Sequence, residues 1–153
     1  MKITELIQQI RQPGNRMGIG VWLLPQNYIG QEENLASRLN LESIDARNVY
    51  LQNLPQGARF SGLTRPNGYQ KLVEMVRQLA NGVHHRDCLL VHTLDLLLLG
   101  LEVNERERFW QAVLEGLPYP RTKLVLTILE SAHSLFPPAF IQRYAALIAQ
   151  GSL

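Results

Sequence analysis

The chain has 153 residues, 46% of them hydrophobic and 18% charged. That length suits one domain with a sizeable core, here residues 1–153, and the composition excludes a disordered chain. A net charge of +2 is too small to demand a nucleic-acid partner, the single cysteine excludes an internal disulfide, and no apolar run is long enough to span a bilayer.

Ile3, Leu6, Ile7 and Ile10 recur at helical spacing, so the chain opens with a short amphipathic helix that Pro13-Gly14-Asn15 ends. Ile19 to Leu24 is an apolar run without alternation, as in parallel strands covered on both faces. A loop over Pro25–Gly30 leads to a helix over about 31–39. Asn48 to Leu51 reads as a short second strand. Residues 53–68 form a long loop rich in turn formers, and long loops in small domains are often functional. Tyr69 to Ala80 is a helix stopped by Asn81-Gly82.

Asp87 to Val91 is the third strand, and its apolar run continues through His92 and Asp95 to Leu101. Asn104 is placed to cap a helix over Glu105–Leu117. Lys123 to Ile128 is a fourth strand. After an irregular link, Pro137-Pro138 opens a last helix over Ala139–Ala149. Strands and helices thus alternate about four times. The expected fold is α/β: a mostly parallel sheet of four to five strands with helices on both faces. Trp22 and Trp110 fall on apolar faces and read as core.

The segment Gly20 to Leu39 carries the sharpest signal. It has the strand–loop–helix frame of a phosphate-binding loop, written G-x-x-x-x-G-K-[ST]. The same spacing here gives Pro25, Gln26, Asn27, Tyr28, Ile29, Gly30, Gln31 and Glu32. Pro25 replaces the first glycine and lacks an N–H. Gln31 replaces the lysine and is neutral. Glu32 replaces the hydroxyl residue and sets a negative charge where a triphosphate would sit. No nucleotide, other cofactor or metal is therefore expected. The alternative reading of these residues is an ordinary strand-to-helix turn of another α/β fold.

The other candidates are weaker. Asp95 stands too far along the third strand for the usual magnesium-binding acid, and a capping or surface role in the turn is the plainer account. Thr127 ends the fourth strand. The histidines, His84, His85, His92 and His133, lack zinc-site spacing. Glu105 to Arg108 reads as a solvated helix face. No nucleophile elbow or metalloprotease motif is present, so an enzyme has no positive case.

The order of strand, loop, helix, HTLDLLL strand, ERERFWQAVLEGL helix and KLVLTI strand resembles the core of P-loop ATPases of the AAA and signal-transduction type. Among small members, Phe109 to Ala132 is similar to the P-loop protein of type 3 BREX phage-defence systems. The WLLPQ strand end, Trp22–Gln26, is similar to the SulA cell-division inhibitors, RecA-like domains without an active phosphate loop. The first resemblance implies a protein-binding part of an antiviral complex that works with a DNA methyltransferase and larger ATPases. The second implies an inhibitor of a polymerising partner.

The expected contact surface is the strand-end rim: Gln26, Asn27, Tyr28, the 53–68 loop with Arg59 and Arg65, and Asp95. A divergent nucleotide hydrolase completed by a partner stays open. So does a DNA-binding accessory, suggested by the scattered arginines alone. The N-terminus lacks the long apolar core of a signal peptide, so the cytoplasm is the expected location.

Overall fold

Apolar strands alternating with amphipathic helices assemble into one five-stranded sheet in which every pairing is parallel. The structure is a computed structural model, and it describes residues 1–53 and 68–153. In chain order the elements begin with α1 (Ile3–Ile10), β1 (Ile19–Leu24), α2 (Glu32–Arg38), β2 (Glu42–Asp45), α3 (Ala46–Gln52) and α4 (Tyr69–Asn81). There follow β3 (Cys88–His92), α5 (Leu94–Leu98), α6 (Val103–Gly116), β4 (Lys123–Leu129), α7 (Pro138–Arg143) and β5 (Ile148–Gln150).

Strands lie in the order β2-β3-β4-β1-β5, so β4 is in the middle and β1, beside it, is also an interior strand. Strand β1 pairs with β4 from Ile19 opposite Leu124 to Leu24 opposite Leu129, and with β5 on its other side. Alternation of side chains divides the core in two. Val21, Leu23, Leu89, Val91, Leu126 and Ile128 face the larger cluster, built by α3 to α7. Trp22, Leu24, Cys88, Leu90 and Val125 face the smaller one, closed by α1 and α2. Gly20 lets α1 lie close: a Cβ there would stand 2.8 Å from Leu6 Cδ1 and 3.1 Å from the Leu147 carbonyl. Trp22 and Trp110 are fully buried, and their indole N–H groups donate to the carbonyls of Gly151 and Leu135.

Four sequence expectations are corrected. Asn48–Leu51 is helix, not strand: Asp45 Oδ1 accepts from the N–H groups of Arg47 and Asn48 and starts α3. The strand lies earlier, at the half-buried Glu42–Asp45 on the sheet edge. The HTLDLLL run does not continue as strand; it stops at His92, and Leu94 begins α5. The last helix ends at Arg143, and Ile148–Gln150 turns back as β5 to cover the open side of β1. Helix α6 begins at Val103, one residue before Asn104, with Glu102 at its cap position.

The face Glu105–Arg108 is also more than solvated. Glu105 is buried and accepts from Tyr69 N–H, joining α6 to the start of α4. Arg106 donates to the carbonyls of Leu98 and Leu99 at the end of α5, where a cation complements the helix dipole.

Candidate functional site

Sheet topology locates the site before any side chain is considered. From β1 the chain crosses the sheet on the α2 face to reach β2 at the far edge. From β4 it crosses on the other face to reach β5. Adjacent strands β4 and β1 therefore send their connections to opposite faces. In open α/β sheets the crevice outside the carboxyl ends of such a pair is where ligands bind.

A cleft of about 230 Å³ lies there, lined by Leu24, Ile29, Glu32, Thr93, Asp95, Leu96, Thr127 and Leu129. It gathers residues from the loop after β1, the turn after β3 and the tip of β4. Its volume falls below the ~300–1,000 Å³ usual for small-molecule sites.

The loop after β1 is closed on itself. Pro25 is buried, and a short 3-10 turn spans Gln26–Tyr28. Tyr28 N–H donates to Pro25 O, Ile29 N–H to Gln26 O and Gln31 N–H to Tyr28 O. Gly30, at φ 81°, donates its N–H to Glu32 Oε1 at 3.3 Å. Gln31 Nε2 donates to Asn27 O. A phosphate-binding nest needs such backbone N–H groups turned together towards the anion. In this loop those of residues 28 to 31 are bonded internally, and the Glu32 carboxylate takes the one from Gly30.

Asp95 stands in the first turn of α5. Its Oδ2 accepts from Leu129 N–H at 3.0 Å, so it ties the helix to the end of β4. Burial pushes its carboxyl above the ordinary carboxylate range; the backbone N–H groups of Leu129 and Asp95 oppose that shift, and nearby Glu32 adds to it. Thr127 is buried beside it and donates its hydroxyl to Val91 O at 3.1 Å. None of the residues lining the cleft carries a positive charge.

Thr93 separates β3 from α5 at φ 65° and ψ 12°. A β-branched residue in the left-handed region costs roughly 1–2 kcal/mol. Its Oγ1 lies 2.9 Å from His92 Nδ1, and His92 Nε2 lies 3.1 Å from Ser43 Oγ, which links the tips of β2 and β3. The sequence does not reveal this chain of contacts, because Ser43 sits in a strand that its composition hides.

The remaining expected residues scatter. Tyr28 is half-buried; its ring lies 6.0 Å from that of Trp22, and its hydroxyl accepts from Leu153 N–H. Gln26, Asn27 and Gln31 are exposed on the loop outside the cleft. Arg59, Arg65 and all but the ends of the 53–68 loop lie outside the described residues. A larger hollow beside α3 and α4 is lined by Tyr50, Asn53, Gln70, Lys71, Glu74 and Met75. His133, Glu130 and Ser131 border another hollow on the α7 face. Among the described residues no group of three or more potential metal ligands occurs, and no helix is long and apolar enough to cross a membrane.

The rim adds a feature that the sequence reading did not pick out. Leu96 on α5 and Ile29 on the loop, both lining the cleft, are each 52% exposed, and Leu99, just after α5, is 57% exposed. The helical register of 94–101 could have revealed it, since Leu94, Leu97, Leu98 and Leu101 point inward and leave Leu96 and Leu99 outside. Comparison with known family models, curated proteins and solved structures gave no match to this chain, so the site is read from its own geometry.

Proposed function

We propose that the chain is a non-catalytic, P-loop-like α/β domain that works by binding another protein at the carboxyl-end cleft. The observation that carries this reading is the cleft's lining: two carboxylates, no cation and an exposed aliphatic rim. A triphosphate brought to it would meet the charges of Glu32 and Asp95 and a loop whose N–H groups are already bonded. The order of parts supports the P-loop likeness, since the loop after β1, the acid after β3 and the polar tip of β4 converge on one crevice.

A phage-defence complex of the BREX type is the proposed setting, in the cytoplasm, with a SulA-like inhibitor of a polymerising partner as the alternative. Isothermal titration with ATP and magnesium tests the class. No binding is expected, and a micromolar dissociation constant would sink the reading. Deleting the gene from a strain that carries its neighbours tests the setting, because phage plating should rise. Unchanged plating would remove phage defence and leave the protein-binding reading standing.

A second reading draws on Asp95 beside Thr127 in the cleft: a divergent hydrolase completed by a partner that supplies the missing cation. It requires turnover that appears only with that partner and vanishes in Asp95→Asn.

A further inference from the structure

We propose that the cleft receives an arginine side chain, flanked by aliphatic residues, from a segment of the partner protein. This rests on the protein-binding reading above and names the chemistry of the partner. Glu32, at the start of α2, and Asp95, in the first turn of α5, line one small cleft with no lysine or arginine among its lining residues. Their charges are close enough to raise the Asp95 carboxyl further above its ordinary range. A cation seated between them would relieve that repulsion and the cost of burying Asp95.

Guanidinium fits better than ammonium. It is planar, it presents several donors in a fixed fork, and it is less strongly hydrated. Its stem also carries methylenes that lie along apolar surface while the charged head reaches its partners. Leu24, Ile29, Leu96 and Leu129 supply that surface within the cleft. Of these, Ile29 and Leu96 are each 52% exposed, so the apolar surface reaches the mouth of the cleft. An acidic pocket ringed by half-exposed aliphatics complements a short segment of the form aliphatic–arginine–aliphatic. A free metal ion or a small amine would leave the rim unused.

The test uses the full chain, isotopically labelled, and two acetylated, amidated tripeptides: Leu-Arg-Leu, and Leu-citrulline-Leu, which keeps the shape and removes the charge. The arginine peptide is expected to bind in the millimolar range and to shift the amide resonances of Gly30, Leu96 and Leu129. The citrulline peptide should bind at least about tenfold more weakly, since charge-assisted bonds to the carboxylates are lost. Glu32→Gln, which keeps an acceptor for Gly30 N–H, should weaken the arginine peptide alone, and raised salt should do the same. Leu96→Lys should abolish its binding while the rest of the spectrum keeps its dispersion. Equal binding of the two peptides, shifts confined to other surfaces, or no shift at all would overturn the proposal. If the peptide fails while ATP also fails to bind, only the arginine assignment falls. If ATP binds, the protein-binding reading falls with it.

Discussion

The two ends of the sheet are built differently. At the amino end, the turns are joined to one another. Thr122 donates its hydroxyl to Gly82 O and its N–H to Ala80 O, Tyr119 N–H reaches Arg16 O, and Arg11 holds Asp87 through two bonds at 2.9 and 3.1 Å. Arg86 donates to the side chain of Asn40 and, through its N–H, to Glu42. At the carboxyl end, a carboxyl is held above its usual range, and Ile29 and Leu96 stand half exposed at a cleft; left-handed residues occur at both ends, Thr93 here and Asn40 and Tyr119 at the amino end. The amino end also has exposed apolar residues, Val83 at 74% and Tyr119 at 66%, but they sit on separate turns away from any acidic cleft. What sets the carboxyl end apart is that carboxylates and open apolar surface meet at one cleft there, and that is the end proposed for binding.

Substitutions that break this contrast should follow the same division. The largest effect is expected at Gly18, on the amino side, where a Cβ would stand 2.5 Å from Pro120 Cγ and 2.8 Å from Lys123 Cδ. Gly18→Ala should lower unfolding free energy by about 1–3 kcal/mol through overpacking, as read by urea denaturation. Gly30→Ala meets nothing within 4 Å. Its cost, about 1 kcal/mol, comes from φ alone. Next, Thr122→Val leaves Gly82 O without its hydroxyl donor, and should cost about 1 kcal/mol.

A smaller effect concerns pH. A carboxyl whose folded pKa lies above its unfolded value keeps its proton longer in the folded chain, so ionisation costs stability. Relative to Asp95→Asn, the wild type should therefore lose stability as pH rises from about 4 through the raised range of Asp95, and run parallel above it. Urea melts of both proteins across that window check the sign. A wild type that gains on the variant with rising pH would contradict the burial argument. The smallest change in stability is expected for Leu96→Lys, within about 0.5 kcal/mol because the side chain is already in solvent, although this substitution should remove binding.

Continuous apolar runs made the architecture legible in the sequence. Ile19–Leu24, Cys88–Val91 and Lys123–Ile128 are strands buried on both faces, and Val73, Val76 and Leu79 mark α4 by their period. What stayed hidden lacked such a signal. β2 is four half-buried, mostly polar residues on an edge. β5 is three residues whose apolar spacing fits a continued helix equally well. Leu94, Leu97, Leu98 and Leu101 recur at helical spacing, but Leu96 and Leu99 between them are apolar too and blur the period that marks the outer face.

At the site, the departures from a phosphate loop at Pro25, Gln31 and Glu32 were visible as letters. That Glu32 accepts from Gly30, and that Asp95 reaches across to Leu129, depends on strand order and could not be read from spacing.

The carboxyl end is the proposed working surface, and the amino end is not. Site-specific photocrosslinking in the producing cell compares them directly, with benzoylphenylalanine placed in turn at Leu96, Ile29, Val83 and Tyr119, all exposed. A discrete protein adduct is expected from positions 96 and 29, lost on adding Glu32→Gln with Asp95→Asn, and none from positions 83 and 119. Adducts from 83 or 119 with none from 96 would contradict it.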